Sequence, residues 1–322
     1  MPVPFYSKPL LLGSMALALT LTAGCSGGGS GPLRVFATGD PITGPDYRGK
    51  TFPLLFILGQ DDEVGAVIKG GEGRITLSED GNTVEIEIPG EDKLTFTYLE
   101  TSAEGDLYAG LGLDGEPITV TVSVEDNGEY VFAGCGCGEF EGFDYASVFG
   151  FETPSDLRPT DTATYTGVSS GVIIAVEGDP EYLFIPGGGS GELTANFENG
   201  SISGTLIDAS TSVALPETFS AYESVEAVGA NLTMDGLITS TGFDGTVDGF
   251  LFIEINGLPF SIDTTFSNTD VDGKFFGNDG ETAAATYKGD LDIADFGPDL
   301  NGPNASFAGI FVGTDPSLGP VE

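Results

Sequence analysis

Short runs of alternating apolar and polar residues, punctuated by Asx-Gly pairs, fill most of this 322-residue chain and leave no room for crossover helices. Thr83–Pro89 puts Val84, Ile86 and Ile88 on one face, and Lys93–Tyr98 does the same with Leu94, Phe96 and Tyr98. Ile118–Val124 and Glu129–Phe132 repeat the pattern. A period of two marks strands with one dry face and one wet face. Asp80-Gly81, Asp114-Gly115 and Asn127-Gly128 between them are hairpin signals. From about Leu33 to Phe151 the chain therefore reads as a compact antiparallel sheet domain. The fifty Gly and nineteen Pro, with many β-branched and aromatic residues, favour strands and turns over helices.

Two prolines in Thr153–Thr160 interrupt strand pairing, so residues 153–161 read as a linker. Beyond it, strands are expected near Ala163–Val176, Glu192–Phe197, Ser201–Ile207, Ala227–Met234, Gly245–Ile255, Leu258–Phe266, Val271–Phe276, Thr282–Asp290 and Ser306–Val312. Asn199-Gly200 and Asn256-Gly257 have the composition of two-residue hairpin loops. Eight or nine antiparallel neighbours in a row predict an up-and-down barrel, because closure removes the exposed edges of so long a meander. The fold class is all-β: a small antiparallel, handle-like domain followed by an eight-stranded up-and-down barrel.

Several motifs in the second half share an order and spacing. Thr162–Gly167 opens the series, followed by Gly191–Phe197 and Gly200–Leu206. Gly273-Lys274-Phe275-Phe276-Gly277, Ala283–Gly289 and Phe307-Ala308-Gly309-Ile310-Phe311 close it. This half, roughly 155 to 316, resembles the β-barrel domain of transferrin-binding-protein-B-like surface lipoproteins. The resemblance implies an eight-stranded barrel on an outer-membrane lipoprotein, often displayed outward. Family members with two lobes carry a handle and a barrel in each, and this chain is long enough for one lobe.

The N-terminus supplies an address. Lys8 precedes a mostly apolar run, Pro9–Thr22, that ends in Ala23-Gly24-Cys25. A positive start, a short apolar stretch and small residues before the cut describe a secretory signal, and the run is too short to span a bilayer. The small-small-Cys site resembles a bacterial lipobox, so Cys25 is expected to be lipidated. The expected organisation is a lipoprotein signal peptide over 1–25, a Gly/Ser tether over 26–32, a β domain over 33–152, the linker over 153–161 and the barrel over 162–316. Loss of Lys8 leaves nine Lys and Arg against fifty Asp and Glu, a net charge of −41. Such a charge repels nucleic acid and anionic membrane surfaces. It suits either an acidic solvated surface or binding of cations or a basic protein.

Chemistry is constrained by absences. With no His, Ser-His-Asp and Cys-His catalysis and His-ligated zinc are excluded. Gly167-Val168-Ser169-Ser170-Gly171 matches a nucleophile elbow, but no base exists to take the serine proton. Gly110–Gly115 matches a dinucleotide fingerprint, yet a strand follows it instead of a helix. Cys135 and Cys137 are the thiols left after Cys25. The plain reading is a local disulfide pinning a Gly-rich turn; the sharper one is a strained, redox-labile bond or a metal contact. Asp290, Asp292, Asp295, Asp299 and Asn301 offer oxygen ligands for Ca²⁺ without the full loop pattern, so a solvated acidic loop is the plainer reading. Acidic pairs such as Asp244 and Asp248 are too common here to argue for a hydrolase.

The expected protein is therefore not an enzyme and takes no cofactor, and no catalytic or metal residue is assigned. It is a lipid-anchored outer-membrane module, facing outward, that captures a solute or metal carrier beside an outer-membrane transporter or translocator. The alternative is a structural or adhesive envelope lipoprotein without a small-molecule ligand.

Overall fold

A computed structural model describes residues 48–60, 67–102, 105–112, 115, 117–124, 130–132, 144–175, 183–184, 189–210, 225–255, 258–277, 279–293 and 305–318. Cys25, Cys135, Cys137, Asp295, Asp299 and Asn301 lie outside them, as do the signal, the tether, Asn127-Gly128 and Asn256-Gly257.

The first eight strands are β1 (Thr51–Gln60), β2 (Val67–Leu77), β3 (Thr83–Glu87), β4 (Leu94–Ser102), β5 (Gly105–Leu111), β6 (Pro117–Val124), β7 (Tyr130–Phe132) and β8 (Asp144–Phe149). They form one antiparallel sheet in the order β7-β6-β5-β4-β3-β2-β1-β8. Its curled inner face buries Phe52, Leu54, Phe56, Ile75, Val84, Ile86, Phe96, Tyr108 and Val120, the alternating set that the period of two predicts. The Asp80-Gly81 signal is realised as a turn. Gly81 takes a φ of +71°, while Ser78 Oγ and the Asn82 amide donate to Asp80. Those bonds hold the Asp80 carboxyl down at about 2. Tyr98 keeps the face of Phe96, directly opposite the buried Tyr108 and edge-on to it, yet it is 39% exposed at the point where a bulge between Tyr98 and Glu100 shifts the register.

The second ten strands are β9 (Thr162–Ala175), β10 (Leu183–Phe184), β11 (Gly189–Asn196), β12 (Ser201–Ser210), β13 (Val225–Thr239), β14 (Gly242–Ile255), β15 (Leu258–Ile262), β16 (Thr264–Phe276), β17 (Thr282–Ile293) and β18 (Ala305–Thr314). Pairing runs β9-β11-β12-β13-β14-β16-β17-β18 and returns to β9, so eight strands close into an antiparallel barrel. β10 and β15 pair with β9 and β14 off this ring.

Three details correct the map of strands and turns. Leu258–Phe266 is not one strand: Leu258–Ile262 folds back on β14, and Thr264 already belongs to the barrel. The expected gap between Phe266 and Val271 is a bulge inside β16, where Asn268 adopts a φ of +48°. The turn at Asn199-Gly200 also spans four residues, 197–200, because β11 ends at Asn196 and β12 begins at Ser201. Gly200 supplies the positive φ of +71° there, and the Asn199 side chain accepts the Ser201 amide hydrogen.

Candidate binding surface

The barrel lumen is a packed core. Phe275 is fully buried, with the rings of Phe197, Phe243 and Tyr165 at 5.1, 5.2 and 5.7 Å. Higher up, Phe307 lies against Phe266 and Tyr287 at 5.1 and 6.4 Å. The Gly and aromatic motifs explain this filling. Tyr287 sits directly opposite Gly309, Phe307 opposite Gly289, and Phe243 opposite Gly273. Each ring covers the bare backbone of its partner: a Cβ on Gly309 would meet the Tyr287 ring at 2.0 Å, and one on Gly273 the Phe243 ring at 2.1 Å. Ser169, the centre of the apparent elbow, points inward from a strand and shares a 3.0 Å hydrogen bond with the Tyr287 hydroxyl.

Residues 153–161, read as a linker, form a strap across one end of the barrel. Thr153 donates through its hydroxyl to the Gly277 carbonyl at 2.6 Å and through its amide to the Phe275 carbonyl. Arg158 is 8% exposed. Its guanidinium donates to the carbonyls of Thr239, Ser240 and Thr153 and lies 5.3 Å from the Phe275 centroid. Burial lowers its proton affinity, while Glu152 at 4.0 Å opposes the shift. The Tyr165 hydroxyl donates to the Gly280 carbonyl at this end. Burial pushes that phenol strongly up, with Asp315 and Glu281 adding to the effect.

The sheet domain and the barrel meet along an apolar seam. Leu55, Ile57 and Val148 of the sheet pack on Phe276, Ala284, Ala308, Ile310 and Val312, the outward side chains of β16, β17 and β18. The small Ala284 and Ala308 let the two walls approach closely. Lys274 bolts the seam. Its Nζ reaches Glu72 of the sheet at 2.9 Å, Glu152 just before the strap at 3.2 Å and the Thr241 carbonyl of the barrel at 3.0 Å, and its side chain is 3% exposed. Lys288, the barrel's other cation, also faces this side and donates to the Gly70 carbonyl.

Glu72 links the seam to an open cleft of about 450 Å³ on the outer side of the sheet, where Arg74, Glu87, Ile88, Glu91 and Lys93 also line the wall. Two lysines in and beside it are paired: Lys69 with Glu91, and Lys93 with Glu85 at 2.6 Å. Lys93 holds its proton more tightly because Glu85 accepts its hydrogen bond.

The structure brings together few of the residues singled out from the sequence. Asp290 accepts from Asn268 and Ser306. Asp244 and Asp248 stand exposed on β14, two rows apart. Among the described residues no group of three or more carboxylates or thiols is arranged to hold a metal ion. Sequence reasoning passed over Arg158 and Lys274. A usable signal existed: they are two of only three cations from residue 153 onward, and β18 is apolar on both faces rather than alternating.

No protein-family model matches the chain, and no curated protein matches it. Solved structures with a likeness include intact Ap-TbpB (N and C lobes), at 11% identity over 82% of this chain and 76% of that one, with a TM-score of 0.33. Transferrin Binding Protein B from Haemophilus parasuis Hp5 shows 10% identity over 86% and 76%, with a TM-score of 0.35. HpuA from Kingella denitrificans, in complex with human haemoglobin, shows 16% identity over 85% and 89%, with a TM-score of 0.27. At these scores none of them assigns a ligand or a family to this chain.

Proposed function

We propose that the chain is a lipid-anchored outer-membrane module that captures a macromolecular partner on its outer surfaces and performs no chemistry. The observation that carries this reading is the filled barrel. With Phe275, Tyr165, Phe197 and Phe243 occupying its interior, the described part of the lumen is filled, and recognition is assigned to the walls, loops and cleft. The absence of His from the whole chain adds to the case against catalysis. In this reading Cys25 carries the lipid, residues 26–32 hold the folded part away from the membrane, and an outer-membrane transporter or translocator is the working neighbour.

Protease shaving of intact cells tests the outward display: digestion of the protein is expected, and full protection refutes surface capture. Cys25→Ser is expected to abolish lipid labelling and membrane retention; unchanged fractionation refutes the anchor. A structural or adhesive envelope protein is the second reading, favoured by the same filled interior. Thermal shift separates them, because a captured partner raises Tm by mass action whereas a purely structural protein does not respond.

A further inference from the structure

The wall of the barrel built from β12, β13 and β14 lies across the ring from β17 and β18, the strands engaged in the seam. Its pairing register places the outward side chains in rows. Ile207 and Phe250 flank Asn231 in one row, and Leu237 stands beside Asp244 three rows on. Asp248 and Asp235 fall in the two rows between. Leu237, Phe250 and Ile207 are 66%, 43% and 42% exposed, so three large apolar side chains sit in water among carboxylates.

Among the described residues no cation pairs with Asp235, Asp244 or Asp248 on this wall. After Arg158 the chain has only Lys274 and Lys288, and both face the seam. Along the wall's edge Asp244 is directly opposite Asp272, and like charges in that position repel. Burial, and then the charges of Asp270, Asp244 and Glu72, push the Asp272 carboxyl up from its ordinary value, with Lys288 partly opposing them. The wall therefore sets carboxylates that have no ion-pair partner among the described residues beside exposed apolar surface. A second copy would bring the same acidic wall and the same large net charge, and an anionic lipid surface is repelled for the same reason.

We propose that the outer wall of β12, β13 and β14 docks a cationic, amphipathic segment of another protein, which seats apolar side chains on Leu237, Phe250 and Ile207 and sets Lys or Arg against Asp235, Asp244 and Asp248. The proposal rests on the binding-module reading and names its partner class. Apolar anchors supply affinity while the charges supply steering and a salt-dependent on-rate.

The test titrates the full folded chain calorimetrically with two probes: an amphipathic Lys/Leu peptide and an oligolysine of equal charge. The amphipathic peptide is expected to bind more tightly and to weaken as salt rises. The triple variant Asp235→Asn, Asp244→Asn, Asp248→Asn is expected to weaken it about tenfold or more, since close charge pairs at interfaces couple strongly. The double variant Leu237→Ser, Phe250→Ser is expected to weaken the amphipathic peptide but not oligolysine. A control triple on the sheet domain, Glu79→Gln, Asp92→Asn, Glu100→Gln, removes the same charge and is expected to change binding by no more than about twofold. Equal weakening by both triples, with wild-type binding intact, overturns the wall and leaves the binding-module reading standing. Absence of any binding overturns the proposal, and protection from surface protease then decides against that reading as well.

Discussion

Replacing Phe275 with Ala removes the side chain on which the closed end of the barrel converges. Phe275 has no exposed surface, three aromatic neighbours within 5.7 Å and the Arg158 guanidinium over its ring. Truncating a fully buried Phe costs about 3–5 kcal/mol, the upper end applying where the surroundings cannot collapse. Collapse is hindered here, because Tyr165 is fixed by its bond to Gly280 and Arg158 by three carbonyls. The ring-pair and cation–π energies belong to that truncation cost and are not added to it. A loss of about 4 kcal/mol corresponds to a fall in Tm of roughly 8–16 °C for a barrel of this size. Phe275→Leu keeps most of the volume and is expected to lose about 1–2 kcal/mol. Urea and thermal denaturation followed by circular dichroism measure both variants. A loss below about 1 kcal/mol for Phe275→Ala would refute the packed lumen, and with it the argument that recognition is confined to the outside.

Gly309→Ala should force the Tyr287 ring off its glycine and break its bond to Ser169, at a cost of about 1–3 kcal/mol; a stability unchanged in urea would contradict the ring-on-glycine account. Lys274→Met should destabilise by about 1–3 kcal/mol, less than for a fully buried pair because Glu72 and Glu152 keep access to water. Calorimetry of that variant is expected to separate sheet and barrel melting where the wild type melts once, and a single unchanged transition would rule out the bolt. Asp272→Asn should raise Tm at neutral pH. The Asp272 carboxyl is pushed up in the folded state, so its stabilising contribution is complete below the ordinary carboxylate value and disappears as pH rises through the folded one. The advantage of the variant should therefore shrink toward acid, and a constant difference between pH 3 and pH 7 would refute the assignment.

Much of the strand map was legible because it depends on local chemistry. Alternation in Thr83–Glu87 and the Asp80-Gly81 pair each specify a conformation from a few neighbours, and β3 and its turn follow them. The breaks were less legible. A β-bulge adds residues without changing composition, so the one at Ser267–Asp270 looked like a gap between two strands. Tyr98 kept the period of two and its place opposite Tyr108, yet it stands 39% exposed where a bulge ends that register. On the candidate surface, Asp235, Asp244 and Asp248 were individually unremarkable in so acidic a chain. Only the pairing of β12, β13 and β14 sets them among Leu237, Phe250 and Ile207.

Composition and period alone decided that this chain is all-β, strongly acidic and without imidazole chemistry, since those properties are summed over residues and need no partner. Tertiary structure decided everything that depends on which residues face each other. It converted the proline-broken stretch around Arg158 into a strap closing the barrel, and it turned Lys274 into a buried bolt. It also spent the outward faces of β17 and β18 on the seam. Among the described residues the wall of β12, β13 and β14, across the ring from that seam, exposes Leu237, Phe250 and Ile207.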